Sequence, residues 1–199
     1  ELAVDPHALD RTSTARATIA EDGSASYVFD LDWRFHPVAD ADPVMVHVCS
    51  IGAVLQPGAD DVVALLGRLH DAARISYDIN ARPAITGTGA DVVAQVERVA
   101  AMCHVVKASD EDLHALYPAL SLDAAAEHLL GLGPGAVAIT RGGDGATWHS
   151  AEGRVEVGAT STSKQVIFSV SDDGRGIPSE WQAAIFEPFR KIDDAHHPE

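Results

Sequence analysis

Cysteine is scarce in this chain, with only Cys49 and Cys103 among 199 residues. Each lies inside an apolar run, which predicts buried thiols in a reducing compartment and excludes a disulfide scaffold. Long apolar runs are also missing. The longest, residues 44–55, is interrupted by His47 and is too short to cross a bilayer. No signal peptide is visible, so a cytoplasmic location is expected. Basic residues are few, 14 against 30 acidic ones, for a net charge of −16. Such a surface repels phosphate backbones and anionic lipid, so neither nucleic acid nor a membrane surface is an expected partner. The chain opens on Glu1 rather than Met and ends on His196-His-Pro-Glu199 in mid-pattern, which is the expectation for a fragment.

What is present suffices for a core: 46% of residues are apolar and 22% charged. Residues 15–20 and 25–29 are β-prone runs around Glu21-Asp-Gly-Ser24, read as a hairpin. From residue 44 onward, strand-length β-branched runs alternate with amphipathic stretches. Strands are expected at 44–48, 74–77, 104–106 and 136–140, and helices at 60–73, 91–102, 109–116 and 122–130. Ser109-Asp-Glu-Asp112 has the form of a capping box. Further strands are read at 146–149, 154–158 and 165–170, and a helix at 179–185 with Ser179 and Gln182 placed to cap it. The fold class expected is α/β, a mostly parallel sheet with helices on both faces, a small β hairpin and a C-terminal strand–loop–helix appendage. Val62, Leu66, Val93, Val96, Leu116 and Leu129 are the expected buried helix residues.

In open parallel sheets ligands gather outside the carboxyl ends of the strands. Asp78, Asn80 and Arg82 follow one expected strand; Lys107, Ser109 and Asp112 follow a second; Thr140, Gly142 and Gly145 follow a third. All three groups are therefore expected to face one crevice. Taken singly they have plainer readings: Asp78 and Asn80 as turn formers, Ser109 and Asp112 as a helix cap, Gly142-Gly-Asp-Gly145 as a hairpin turn. The ten histidines are scattered and His196-His197 is a poor metal pair, so no metal site and no nucleophile triad are expected.

Four ordered segments carry a resemblance. They are Ser50-Ile-Gly-Ala-Val-Leu-Gln-Pro-Gly58, Asp78-Ile-Asn-Ala-Arg-Pro83, Val106-Lys-Ala-Ser-Asp-Glu-Asp-Leu113 and Thr140-Arg-Gly-Gly-Asp-Gly145. Together, over about residues 12–160, they resemble the middle of a ribokinase-type (PfkB), fructokinase-like carbohydrate kinase. The resemblance implies an ATP- and Mg²⁺-dependent phosphoryl transfer to a sugar hydroxyl, with Asn80 and Arg82 near the sugar or the transferring phosphate. It further implies that Lys107, Ser109, Asp112, Thr140, Gly142 and Gly145 lie near nucleotide and Mg²⁺. Ser109-x-x-Asp112 stands where that family carries Asn-x-x-Glu. The hairpin, about residues 12–35, resembles the lid that covers sugar and often mediates homodimers; Tyr27, Phe29 and Trp33 either contact sugar or partner, or pad the lid against the sheet.

The family's catalytic base comes from an Asp-Thr-x-Gly-Ala-Gly-Asp segment expected just after Val157. Gly158-Ala-Thr-Ser-Thr-Ser-Lys164 stands there, without a carboxylate. A hydroxyl attacking a phosphoryl group needs its proton accepted by a positioned base. No catalytic residue is therefore assigned, and no sugar phosphorylation by this chain alone is expected. Residues 164–199 form a second unit in this reading. Asp172-Asp-Gly-Arg-Gly-Ile-Pro178 and Ile185-Phe-Glu-Pro-Phe189 resemble part of a sensor histidine kinase ATP-binding (GHKL) domain, which implies adenine contacts at Asp172, Gly174 and Gly176. That tail is expected to dock loosely. A non-catalytic α/β binding protein is the third reading.

Overall fold

A computed structural model describes residues 12–20, 23, 25–34 and 42–186. The element order begins with a hairpin, β1 (Thr14–Ile19) and β2 (Ala25–Asp30), whose antiparallel register pairs Ala15 with Phe29 and Ala17 with Tyr27. It stands apart as its own two-stranded sheet. The chain then enters β3 (Met45–Cys49), a 3-10 turn (Ser50–Ala53) and α1 (Gly58–Leu69), followed by β4 (Arg74–Asp78). A single helical turn α2 (Pro83–Thr86) and α3 (Ala90–Ala100) lead to β5 (Val105–Ser109). Next come α4 (Asp110–Leu116), α5 (Leu122–Gly131) and β6 (Ala136–Thr140). A glycine turn, Gly142–Asp144, opens a meander of β7 (Ala146–Ser150), β8 (Gly153–Ser161) and β9 (Val166–Asp172).

Strands β3 to β9 form one sheet in chain order, parallel from β3 to β6 and antiparallel from β6 to β9. The α/β class is as expected. The helices, however, gather on one face rather than both. Each parallel crossover steps one strand in the same direction, and right-handed crossovers then place every connecting helix on the same side. Burial follows that geometry. Val48, Ile75, Tyr77, Val106, Ala108, Val137 and Ile139 point into the single core with Val62, Leu66, Val96, Val99, Leu113, Leu116 and Leu129 from the helices. Of the expected core residues only Val93 is half-buried.

The opposite face carries His47, Cys49, Ser76, Asp78 and Lys107, all exposed or half-buried. Cys49 is accordingly exposed, against expectation, because its apolar run lies on an edge strand facing away from the helices; Cys103 is buried, and its thiol is pushed up to about 12 by that burial.

Two corrections concern the C-terminal part. β8 runs through the polar stretch from Gly158 to Ser161, and β9, expected to dock loosely, pairs back along seven register positions, Ser161 with Val166 through Val155 with Asp172. The tail strand is thus held by backbone hydrogen bonds, although its side chains are exposed. Residues 179–183 form turns and only Ala184–Phe186 is helical, as a 3-10 turn. Ser179 Oγ faces Glu180 Oε2 and Gln182 Nε2 donates to the Ile177 carbonyl, so neither caps a helix. A short helix without a face to bury does not repay its nucleation. Phe189, His196 and His197 lie outside the described residues.

Candidate functional site

Three loops meet at the carboxyl ends of β4, β5 and β6. Register places Asp78 beside Lys107 and Ser109 beside Thr140. Lys107 Nζ lies 3.1 Å from Asp78 Oδ1, so the two half-exposed side chains neutralise each other across neighbouring strands. Ser109 caps α4: its Oγ accepts from the Asp112 N–H at 3.0 Å, while Asp112 Oδ2 accepts from the Ser109 N–H at 2.8 Å. The other carboxylate oxygen of Asp112 reaches across to β4's loop and accepts from the Ala81 N–H at 2.8 Å. One buried carboxylate therefore caps a helix and clamps the loop bearing Asn80 and Arg82.

That loop is held in an uncommon shape. Asn80 has φ of +40° and Ser50, at the end of β3, has φ of +56°. Ser50 Oγ donates to the Asn80 carbonyl at 2.9 Å, which ties the two left-handed residues together. Non-glycine residues in this region cost of order 1–3 kcal/mol each and collect at ligand-binding sites. Ser50 was not singled out by residue type; only its place beside Asn80 marks it. Arg82 is exposed, its Nη1 resting on the carbonyls of Ala81 (2.8 Å) and Asn80 (3.3 Å). An anion can draw such a guanidinium outward, because among the described residues its donors meet no carboxylate.

Asn80, Arg82, Pro83, Ser109, Glu111 and Asp112 line a hollow of about 240 Å³. Pockets that enclose a drug-sized ligand run to about 300–1,000 Å³, so this hollow has room for only part of such a ligand. Each oxygen of Asp112 already accepts one backbone N–H, which leaves a single lone pair on each for a metal ion or its water. Among the described residues no cluster of three or more His, Cys, Asp or Glu is placed to hold a metal.

The turn after Thr140 closes the β6–β7 hairpin. Asp144 and Gly145 donate inward, to the carbonyls of Arg141 and Gly142. Gly142 and Gly145 have φ of +52° and +89°, and a Cβ on Gly145 would collide with the Val157 carbonyl oxygen. Gly142 and Gly143 have open space around them, leaving room for a ligand to approach the backbone. Arg141, one residue earlier, is bound to Glu156, which also meets Arg154 at 3.2 Å. The hydrogen bond from Arg141, reinforced by the charges of Arg141 and Arg154, holds the Glu156 carboxyl below the usual carboxylate range. Glu156 is the carboxylate nearest in the chain to the segment after Val157, and this shift makes it a worse proton acceptor.

Trp33 answers the question of the lid aromatics in part. Its Nε1 donates to the Gly52 carbonyl at 3.0 Å, and its carbonyl accepts from the Gly58 N–H. A Cβ on Gly58 would run into the indole ring, so Trp33 pads the hairpin's base against α1. Tyr27 and Phe29 stack on each other, ring centroids 6.0 Å apart, on the hairpin.

Asp172, Gly174 and Gly176 lie elsewhere. Strand β9 runs antiparallel to β8, and the register carries Asp172 through Val155, Trp148 and Ala138 to the row of Lys107 and Asp78, so Asp172 is on the last strand, five strands across the sheet from β4. Its Oδ1 accepts from the Gly174 N–H at 2.9 Å, and Gly176 has φ of +75°. Asp172 and Gly174 line an open hollow of about 420 Å³ with Trp148, Val155 and Val170.

No family model matches the chain. It is 32% identical over 155 residues to a fructokinase from Rhizobium leguminosarum bv. trifolii, covering 74% of this chain and 48% of that enzyme. It is 27% identical over 183 residues to a fructokinase from Vibrio alginolyticus, covering 88% and 57% respectively. Its curated relatives are fructokinases. The chain spans about half the length of these relatives. A match over 88% of the chain extends past residue 164 wherever it begins, so it reaches into β9. Among solved structures, the apo fructokinase from Vibrio cholerae O395 superposes with a TM-score of 0.57 at 26% identity, covering 72% of this chain and 52% of that one. Aminoimidazole riboside kinase from Salmonella enterica, solved with aminoimidazole riboside and an ATP analogue, gives 0.53 at 25%, covering 60% and 42%. These neighbours share the α/β sheet with its helices.

Proposed function

We propose that this chain is part of a cytoplasmic PfkB-type, fructokinase-like carbohydrate kinase, and that its strand-end crevice takes a sugar hydroxyl and the phosphates of ATP. The observation that carries this reading is the convergence of the 80–82, 109–112 and 140–145 loops at three adjacent strand ends, in a chain 32% identical to a fructokinase. In this reading Asn80 and Arg82 face sugar and transferring phosphate. Lys107, Ser109 and Asp112 brace that loop beside the phosphates, and the Thr140–Gly145 turn borders the nucleotide. Mg²⁺, the usual partner of ATP, would neutralise phosphate charge during transfer; here it would be held by the nucleotide and by water beside Asp112. The lid hairpin, with Ile19, Tyr27 and Val28 exposed, is the proposed cover for sugar and a homodimer contact.

Phosphoryl transfer also requires a carboxylate to accept the sugar's proton. None stands between 158 and 164, and Glu156 is tied to two arginines. The chain alone is therefore proposed to bind ATP weakly and to transfer nothing. Calorimetric titration with a non-hydrolysable ATP analogue, plus coupled detection of ADP with fructose present, tests both halves. Arg82→Ala should weaken binding by about tenfold, as loss of a charge-assisted phosphate contact does, and ADP production should stay at background. Binding unaffected by Arg82→Ala would remove the crevice from consideration, and steady ADP production would refute the missing base.

The hollow that Asp172 shares with Trp148 favours a second reading, a histidine-kinase-type ATP contact within residues 164–199. Binding lost in Asp172→Asn but kept in Arg82→Ala selects it. Binding of no nucleotide at all selects a non-catalytic α/β binding protein.

A further inference from the structure

The 80–82 loop is gripped from two sides. From the β5 side, Asp112 takes the Ala81 N–H at 2.8 Å. From the β3 side, Ser50 Oγ donates to the Asn80 carbonyl at 2.9 Å. That carbonyl has a second partner, because Arg82 Nη1 donates to it at 3.3 Å while resting on the Ala81 carbonyl at 2.8 Å. A carbonyl oxygen has two lone pairs, so the serine hydroxyl and the guanidinium fill it together. Ser50 and Asn80 are also the two non-glycine residues with positive φ among the described residues, at +56° and +40°. Glycine would adopt such a backbone freely, whereas serine does so against its Cβ. What serine offers there and glycine lacks is the hydroxyl.

That hydroxyl matters most when Arg82 moves. In the free chain the guanidinium lies on backbone carbonyls, and a phosphate entering the crevice has to draw it away from them. With Ser50 in place, the Asn80 carbonyl keeps a partner after the guanidinium has left. Without the hydroxyl, Arg82 would be left as that partner, and drawing it off would strip a half-buried residue of its hydrogen bond. Ser50 and Arg82 are near enough to line one small cavity under the loop, together with Ile79, Ala81 and Leu116. Cys49, next to Ser50, is no substitute: it meets Asn80 through a long contact from Nδ2 to Sγ, 3.7 Å, and leaves the carbonyl alone.

We propose that Ser50 is a positioning residue of the crevice, whose hydroxyl holds the Asn80 carbonyl so that the Arg82 guanidinium can turn from the loop's own backbone to a phosphate. This rests on the kinase reading of the crevice and adds to it a residue that acts through Arg82 rather than on the ligand.

Ser50→Gly tests it, since glycine accepts φ of +56° and only the hydroxymethyl group is lost. Circular dichroism and the urea midpoint check that the variant is folded. In calorimetric titration with a non-hydrolysable ATP analogue, Ser50→Gly should bind about tenfold more weakly, the scale of one lost hydrogen bond. In an Arg82→Ala background the same change should alter affinity by less than about twofold, because the group it acts through is gone. The NMR signal of the Arg82 Nε–H, followed during addition of inorganic phosphate, reads the guanidinium directly. The phosphate concentration that half-shifts it should rise about tenfold in Ser50→Gly. A hydroxyl that merely stiffens the loop would weaken analogue binding equally in both backgrounds, and that result would overturn the proposal. So would Ser50→Gly binding like the unaltered chain while Arg82→Ala binds weakly. An unaltered chain that does not bind the analogue, or binding that Arg82→Ala leaves unchanged, would bring down the kinase reading of the crevice and this proposal with it.

Discussion

The parallel and antiparallel halves of this sheet are built from similar runs of apolar residues yet end in different states. In β4, β5 and β6 alternate side chains are buried: Ile75, Val106 and Val137 are fully enclosed, while their neighbours Ser76, Lys107 and Ala138 are half-buried. In β9 every position is exposed, including Val166, Phe168 and Val170. The difference lies in the connections. A parallel crossover brings a helix with it, and that helix covers one face of the strands it joins. A hairpin brings nothing. β-Branched sequence makes a strand in either half, but only the connection supplies a core.

This contrast predicts unequal mutational costs. Leu66→Ala, at a site with no exposure, should cost about 2–5 kcal/mol in urea unfolding. Val157→Ala, 46% exposed in the meander, should stay within about 0.5 kcal/mol. Equal losses would mean that the antiparallel half is covered after all. Asp112→Ala sharpens the comparison at the strand ends, since it frees both the Ser109 and Ala81 N–H groups; about 1–3 kcal/mol should be lost, with Asp112→Asn less harmful. Unchanged stability would show that the clamp on the 80–82 loop is not formed.

A smaller effect concerns pH. Burial, with help from Arg74 and His70, lowers the pKa of His104, whose Nδ1 accepts the Ile75 N–H at 3.0 Å. Burial likewise lowers that of His149, against the pull of Asp123. Both rings fold neutral. The unfolded chain takes up protons first as pH drops below about 6.5, so this stabilisation is complete above that value and is lost towards the lower folded-state pKa. The urea midpoint should fall between pH 7.5 and 5.5, and His104→Asn, which retains an acceptor for Ile75, should flatten part of that slope. An identical slope in the variant would assign the whole effect to other groups.

What could be read in the sequence was whatever is decided locally. The capping box at Ser109 and Asp112 is present as two reciprocal hydrogen bonds, and the strand 136–140 has the bounds its β-branched run suggested. The helical stripes pointed Leu66, Val96 and Leu129 inward, as found. Strand order is not local, and it decides which sheet face receives helices; Cys49 was misplaced for that reason. The expected strand 154–158 stopped short of Ser161 because Thr and Ser are as common in loops as in edge strands, and only the pairing of Ala159 with Phe168 and Thr160 with Ile167 distinguishes them. In the site, the grouping of Asn80, Asp112 and Thr140 followed from strand ends alone. The part played by Ser50 did not, because a left-handed serine leaves no mark on composition.

Asn80 follows the second strand of the sheet and Asp172 ends the seventh, five strand spacings away, about 24 Å across the sheet. A molecule seated at one neither blocks nor touches a molecule at the other. Saturating one would leave the dissociation constant of the second unaltered, and no phosphoryl group could pass directly between them.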